Sequence, residues 1–166
     1  MKIAIASDHG GFELKQKLQS AYAAEWTDFG CTGKESCDYP DFAVAVAEAV
    51  AKGDVDMGVL VCTNGMGMSV AANRFHNVRA ALCRSVADAK QARTHVGANI
   101  LCLGAVNQDD AVATEILKTF LETALSDEER HARRRAKVER AQRLSDFSGL
   151  AKADPEIYAA IKAQVR

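Results

Sequence analysis

Short apolar runs alternate with amphipathic segments along most of the chain, and each run has the length of one buried strand. Glycine-containing or polar loops follow the runs, and apolar residues then recur at helical spacing. The predicted strands are Lys2–Ala6, Glu25–Phe29, Met57–Cys62, Val78–Cys83 and Asn99–Gly104. Parallel strands need crossover connections, and crossover helices cover both faces of a sheet. The pattern therefore predicts an α/β fold, with a doubly wound, five-stranded parallel sheet of the flavodoxin or Rossmann type.

Residues that typically begin or end helices mark the limits of the predicted helices. Gly53 is placed to end an alanine-rich helix, and Ser85 with Asp88 forms a typical N-terminal cap. The predicted helices run from Phe12 to Tyr22, from Asp41 to Lys52, from Gly67 towards Phe75, from Ser85 to about His95 and from about Asp109 to Leu125.

Past Ser126 the chain becomes rich in charge, but alanine and valine keep a helical spacing to about Leu144. A further short helix is predicted near the end of the chain, with Pro155 in its first turn. We expect residues 1–144 to form the α/β domain. Residues 145–166 are expected to be a C-terminal extension that packs on the same domain or on a partner subunit.

The composition narrows the function without identifying it. The chain has 166 residues, a usual size for one domain, and its formal net charge is −1. This balance provides no basic field for nucleic acid or for an acidic membrane surface, so neither is expected as a partner. The first residues do not resemble a cleavable signal, and no apolar run approaches membrane-spanning length. We expect a soluble, cytoplasmic protein.

The five cysteines are odd in number and include no Cys-x-x-Cys pair. Three of them lie in or at the end of apolar runs, a pattern that indicates reduced thiols rather than disulfides or a zinc site. Cys31, Cys37, Cys83 and Cys102 are interpreted as structural thiols. Cys62 differs from them because a turn with two glycines follows it.

The turn after Cys62 has the composition of an anion-binding loop. Gly65 and Gly67 lack side chains, so several backbone N–H groups can converge there. The helix that follows adds the positive end of its dipole, and such surroundings favour a thiolate over a thiol. The sequence therefore indicates an activated thiolate beside a cradle for a negatively charged oxygen.

Ligands of doubly wound sheets bind at the carboxyl ends of the strands. Three groups fall on this edge, namely Ser7 to His9, Cys62 to Gly67, and Arg84 with Ser85. His95 follows a helix that returns to the opposite edge, so a neighbouring subunit is its easiest source at the same site. Arg130 and Arg134 follow another returning helix and present the same geometry.

Several segments of the chain occur in a specific joint order. They are Ile5–Lys15 (IASDHGGFELK), Asp38–Pro40 (DYP), Gly58–Phe75 (GVLVCTNGMGMSVAANRF), Val78–Cys83 (VRAALC), His95, and Arg130 and His131 with Arg134. Through these segments and their order, the chain resembles the type B ribose-5-phosphate isomerases and the related galactose-6-phosphate isomerase subunits. The resemblance covers roughly the first 140 residues in one register.

The resemblance implies an enzyme that interconverts aldose and ketose phosphates through a cis-enediol, with no metal and no cofactor. It implies that Cys62 moves a proton between C2 and C1, and that His95 helps to open the sugar ring. The implied substrate-binding residues are Asp8, His9, Thr63, Gly65, Met66, Gly67, Arg130 and Arg134. The chemistry agrees, because prearranged N–H donors strongly stabilise charge that develops on oxygen.

Asn64 is also a candidate catalytic residue, although it places an amide where many members of this family have a hydroxyl. Two further differences follow: Val96 stands after His95 in place of an asparagine, and an arginine common after the fifth strand is absent. These differences concern the identity of the sugar. Ribose 5-phosphate is the expected substrate, and galactose 6-phosphate, allose 6-phosphate or a tetrose phosphate remain alternatives.

Four of these residues also have purely structural explanations. Cys62 could be a small apolar residue at a strand end. Asp8 and His9 could cap the first helix, and His95 could interact with the dipole of its own helix.

The shared site implies a homodimer or a dimer of dimers. Arg133 or Arg135 could face the phosphate instead of Arg134 if the helix register differs. A sugar-phosphate-binding module without turnover is the rival function from another class.

Overall fold

Five parallel strands form a sheet in the structure, a computed structural model that describes residues 1–146 and 155–164. The strands are β1 (Lys2–Ser7), β2 (Glu25–Asp28), β3 (Met57–Cys62), β4 (Ala80–Leu82) and β5 (Ile100–Gly104). Their order across the sheet is β2-β1-β3-β5-β4, and every neighbouring pair is parallel. The predicted five-stranded parallel sheet is confirmed.

Helices follow the strands and cover both faces of the sheet. They are α1 (Phe12–Ala21), α2 (Tyr39–Lys52), α3 (Met66–Ala72), α4 (Val86–Gln91) and α5 (Asp110–Glu122). Helices α1, α4 and α5 pack on one face, whereas α2 and α3 pack on the other. The fold is therefore doubly wound, as the sequence predicts.

Alternation along the strands explains the two cores. In β1, Ile3 and Ile5 pack with α1 and α5, whereas Ala4 and Ala6 pack with α2 and α3. Successive side chains of a strand point to opposite faces, so a strand that is covered on both sides is apolar throughout. Gly58 brings α2 close to β3, because a Cβ at this position would lie 2.7 Å from the side chain of Val46.

The predicted cap and stop residues are confirmed. The hydroxyl of Ser85 accepts the N–H of Asp88 at 3.1 Å at the start of α4. Gly53 ends α2 in the left-handed conformation with φ of 78°. Both residues act through the backbone groups that a helix end leaves unpaired.

Several predicted boundaries differ from the structure, and α3 and α5 end at Ala72 and Glu122, each three residues before its predicted end. The sequence predicts β4 over residues 78–83, but the strand begins only at Ala80, because the N–H of Arg79 donates to the side chain of Asn99 at 2.8 Å. The helix predicted to reach His95 ends as α4 at Gln91, and one turn of π-helix, Ala92–Val96, continues it.

The chain divides into two compact units, Met1–Ser126 and Asp127–Arg166. The first unit contains the five strands. In the second unit, α6 (Glu129–Asp146) and α7 (Pro155–Gln164) lie where the sequence predicts helices. The functional division into residues 1–144 and 145–166 stays a prediction. In the ranges that the structure describes, no helix combines the length and the apolar character needed to cross a membrane.

Candidate active site

Cys62 ends β3 and is buried, with 5% of its surface exposed. The N–H of Gly65 donates to its Sγ over 3.1 Å. Gly65 has a φ of 78°, a left-handed conformation that costs little only for glycine. A Cβ on Gly65 would also lie 2.5 Å from the side chain of Leu82 and 2.9 Å from the backbone of Leu103. Space and conformation therefore both require glycine where the chain turns back towards the thiol.

The side chain of Asn64 bonds the first residue of α3 from inside the same loop. Its Oδ1 accepts the N–H of Met66 at 3.1 Å. An N–H can only pair with the oxygen of a carboxamide, so the orientation of this amide is determined and its NH2 group faces away from that bond. The N–H groups of Gly65 and Met66, two of the predicted substrate ligands, are thus engaged within the loop.

The other N–H groups of the loop are those of Thr63, Asn64 and Gly67. Among the described residues no acceptor is bonded to them. They lie beside the N-terminal end of α3, where unpaired N–H groups favour an anion. The N–H groups of Gly65 and Met66 hold the loop in shape, and the other three are the donors left for the anion cradle, which stays a prediction.

The loop after β1 meets the loop after β3 at the carboxyl edge of the sheet. The N–H of Asp8 donates to the carbonyl of Val61 at 3.2 Å. A Cβ on Gly10 would overlap the hydroxyl of Thr63, so these two residues are in close approach. The structure thus brings Asp8 and Thr63, both predicted substrate ligands, to one place.

Asp8 holds the turn before α1, but it does not cap that helix, because the N-cap is Gly11 and no side chain bonds there. Its carboxylate is buried, with 7% of the residue exposed, and its Oδ1 accepts the N–H of Gly11 at 2.9 Å before α1 begins. This bond engages one of the two carboxylate oxygens. A role in holding this turn and a ligand role are therefore compatible in this residue.

His9 lies against the segment that connects β2 and α2. Its Nδ1 is 3.3 Å from the N–H nitrogen of Cys37, 3.3 Å from the carbonyl oxygen of the same residue and 4.0 Å from its thiol. Burial raises the pKa of the Cys37 thiol. Cys37 therefore contacts a predicted phosphate ligand as a neutral group.

A buried ammonium group anchors this segment. The Nζ of Lys15, which is 2% exposed, lies 2.8 Å from both carboxylate oxygens of Asp28 and 2.8 Å from the carbonyl of Cys31. The sequence prediction missed this arrangement. A signal was present, because Lys15 lies three residues before Leu18, on the apolar face of α1.

The loop after β5 supports the loop after β3. The N–H of Ala105 donates to the carbonyl of Cys62 at 2.9 Å, and the N–H of Val106 donates to the carbonyl of Thr63 at 3.1 Å. The carboxamide of Asn107 donates to the carbonyl of Asn64 at 3.1 Å. The sequence alone does not predict this role of Asn107.

His95 and Cys62 lie towards opposite ends of the sheet within one chain. Cys62 pairs with Gly104, the last residue of β5, whereas His95 precedes the first residue of β5 in the turn of π-helix. This placement agrees with the expectation that His95 does not meet the thiol of its own chain.

Arg130 and Arg134 lie four residues apart on α6, in the second unit. Both are exposed, and the Nε of Arg130 forms an ion pair of 2.7 Å with Glu128. Arg133 lies 3.7 Å from Glu129. The choice among Arg133, Arg134 and Arg135 as the phosphate-facing residue stays a prediction.

Cys83, directly after β4, and Cys102, in β5, have the environment of structural cysteines. Burial raises the pKa of Cys83 to about 12, and it also raises the pKa of Cys102. Both groups therefore remain protonated at neutral pH. Within the residues described, no three His, Cys, Asp or Glu side chains cluster as metal ligands would.

The sequence matches the family described as Ribose/Galactose Isomerase over residues 3–138. It is 36% identical over 141 residues to ribose-5-phosphate isomerase B of Escherichia coli K12, with 83% of this chain and 92% of that protein covered. The structure of Clostridium thermocellum ribose-5-phosphate isomerase B is 41% identical, with a TM-score of 0.81, and the match covers 86% of this chain and 98% of that one. The Mycoplasma genitalium ribose-5-phosphate isomerase B with bound ribulose-5-phosphate is 37% identical, with a TM-score of 0.80 over 86% of this chain and 96% of that one.

Proposed function

The chain belongs to the ribose/galactose isomerase family, and from this premise we propose that it interconverts ribose 5-phosphate and ribulose 5-phosphate through a cis-enediol. Its relatives named ribose-5-phosphate isomerase B support the choice of this sugar pair. The observation that carries the mechanism is the contact of 3.1 Å between the N–H of Gly65 and the thiol of Cys62, beside N–H groups that are left for an anion.

Cys62 acts as the base in this mechanism. Its thiolate takes the proton from C2 of the open-chain aldose, the C–H electron pair forms the C1=C2 double bond, and the carbonyl electrons move to O1. Return of the proton to C1, with formation of a carbonyl at C2, gives the ketose. The net change moves one hydrogen from C2 to C1 and one from O2 to O1, so no external oxidant or reductant is needed.

Negative charge develops on a sugar oxygen during the first step. In the proposal the N–H groups of Thr63, Asn64 and Gly67 stabilise this charge, and fixed donors of this kind are usually the largest contribution to such catalysis. Asp8 contacts sugar hydroxyls or assists ring opening. His95 from a neighbouring subunit helps to open the ring in this proposal.

The phosphate group of the substrate requires cationic partners. His9, Arg130 and Arg134 have this role in the proposal. Arginine suits it because its planar guanidinium can donate two parallel hydrogen bonds to phosphate oxygens. The protein acts as a homodimer or a dimer of dimers, without metal or cofactor and in the cytoplasm.

Hydrogen exchange tests the proposal directly. Ribose 5-phosphate incubated with the protein in heavy water should gain deuterium at carbon, as followed by proton NMR, and ribulose 5-phosphate should appear. Cys62→Ala should abolish both signals. Cys102→Ala is the matched control, because it makes the same change on β5 in the apolar core and should retain both signals.

The same experiment separates the alternatives. A binding module would be favoured if calorimetry showed that the wild type and Cys62→Ala both bind ribose 5-phosphate while neither protein catalyses exchange. Exchange with galactose 6-phosphate, allose 6-phosphate or erythrose 4-phosphate at a higher kcat/KM than with ribose 5-phosphate would reassign the substrate. No exchange with any of these sugars would refute the isomerase assignment.

A further inference from the structure

Three consecutive carbonyl groups of the thiol loop are held by three consecutive residues after β5. The carbonyls of Cys62 and Thr63 accept backbone N–H groups, whereas the carbonyl of Asn64 accepts the side chain of Asn107 at 3.1 Å. Only this third bond comes from a side chain. It is therefore the one that a substitution can remove without changing the backbone.

The bond to the Asn64 carbonyl determines where the next N–H points. In a planar trans peptide the C=O of one residue and the N–H of the following residue point in opposite directions. The peptide bond between Asn64 and Gly65 is trans. Its carbonyl faces Asn107, so its N–H faces the other way, and there it donates to the Sγ of Cys62 at 3.1 Å.

Close contacts at the end of β5 restrict the position of the Asn107 side chain. A Cβ on Gly104 would overlap the carboxamide of Asn107 and would lie 2.7 Å from the Cα of Asn64. The backbone N–H of Asn107 donates to the carbonyl of Gly104 at 3.1 Å, which fixes the turn that presents its side chain. The end of β5 is thus shaped to place one carboxamide against one peptide bond.

We propose that Asn107 is a positioning residue for the Cys62 thiol, acting through the peptide bond between Asn64 and Gly65. It holds the carbonyl of that peptide, and the N–H on the other side stabilises the thiolate. A hydrogen bond at the carbonyl also polarises the peptide and strengthens its N–H as a donor. This inference rests on the proposed function, since it concerns the base of that reaction.

Kinetics on ribose 5-phosphate with the full chain test this role. Asn107→Ala removes the donor. Asn107→Asp keeps the size of the side chain but places a carboxylate oxygen against the carbonyl oxygen of Asn64. Both variants should lower kcat about 10-fold, since small misplacements of a reacting group can cost up to about 100-fold. KM should stay within about twofold of the wild type, because the proposed phosphate ligands are unchanged.

Alkylation of Cys62 by iodoacetamide supplies a second readout that needs no turnover. Mass spectrometry of the Cys62 peptide gives the rate at each pH, and in both variants the pH profile should move upward because the thiolate loses an aligned donor. Asn99→Ala is the matched control. It removes another asparagine bond to a loop carbonyl, that of Asn77, together with the bond that Asn99 accepts from the N–H of Arg79, at the opposite end of β5, and it should leave kcat and the profile unchanged.

The outcomes are distinguishable from failure of the proposed function. An inactive wild type would refute the isomerase assignment, while the alkylation profile would still test Asn107. If the wild type is active and both Asn107 variants have the same kcat and the same pH profile of alkylation as the wild type, the positioning role is overturned. Thermal unfolding of each variant shows whether a low kcat reflects loss of folded protein, and Asn107→Asp provides the second variant if Asn107→Ala does not fold.

Discussion

The ammonium group of Lys15 lies 2.8 Å from both carboxylate oxygens of Asp28, and the lysine is 2% exposed while the aspartate is 38% exposed. The same Nζ donates to the carbonyl of Cys31 at 2.8 Å. One buried cation therefore joins α1, β2 and the segment that contacts His9. This arrangement links the stability of the fold to the shape of one edge of the site.

We predict that Asp28→Ala lowers the free energy of unfolding by about 3 kcal/mol, because it leaves a buried ammonium without its counterion. Glu48→Ala is the control, since it breaks the exposed ion pair with Lys52 and should change stability by less than about 1 kcal/mol. Urea unfolding measures both values. Equal losses in the two variants would show that the burial of Lys15 has no energetic consequence.

Gly65 and Gly53 provide a matched pair, because both have a φ of 78°. Gly53→Ala should cost about 1 kcal/mol of stability for the left-handed conformation alone, since a Cβ there has no neighbour within 4 Å. Gly65→Ala should cost about 1–3 kcal/mol more through overpacking against Leu82 and Leu103. It should also lower kcat, whereas Gly53→Ala should not. Similar stability and kcat in both variants would contradict the packing argument.

The cap of α4 predicts a pH-dependent contribution to stability. The N–H of Arg84 donates to the carboxylate of Asp88 at 3.0 Å, and this bond, with help from Ser85, lowers the pKa of Asp88. A depressed carboxyl pKa contributes stability above the unfolded value of about 3.9, and the contribution is lost as the pH falls through the folded value. Asp88→Asn should therefore be less stable than the wild type at pH 7, and the difference should shrink as the pH falls below about 3.9.

Ser85→Ala is the comparison for this effect. It removes a neutral cap and should cost about 1 kcal/mol at every pH at which the protein is folded. Thermal unfolding between pH 3 and 7 follows both variants. A difference between Asp88→Asn and the wild type that does not change with pH would assign the contribution to shape rather than to charge.

Local patterns were sufficient to predict the strands and most helix ends. The apolar strands are covered on both faces, so each reads as a short apolar run, and Gly53 and Ser85 act through backbone groups next to them in sequence. β4 is shorter than predicted because Asn99, twenty residues after Arg79, takes the N–H that would extend it. Sequence alone contains no signal for such a contact.

The sequence alone also could not predict the hydrogen bond that holds the thiol loop. Asn107 contacts Asn64 across 43 residues of chain, and it acts on a backbone carbonyl, which exists in every residue. Composition and spacing predicted the glycine turn and the thiol because both are local. The residues that orient them become visible only when β3 and β5 lie side by side in the sheet.

The position of His95 leads to a prediction about subunit exchange. Because His95 lies at the amino end of β5 and Cys62 at the carboxyl end of β3, the proposed site takes these two residues from different chains. Cys62→Ala and His95→Ala should each be inactive as pure proteins.

In a two-fold symmetric dimer the mixed species has one site with both changes and one site with neither. Co-expression of the two variants should thus restore roughly a quarter of the wild-type activity, because half of the dimers are mixed and each has one intact site. Activity that stays at the level of the pure variants would show that each chain completes its own site.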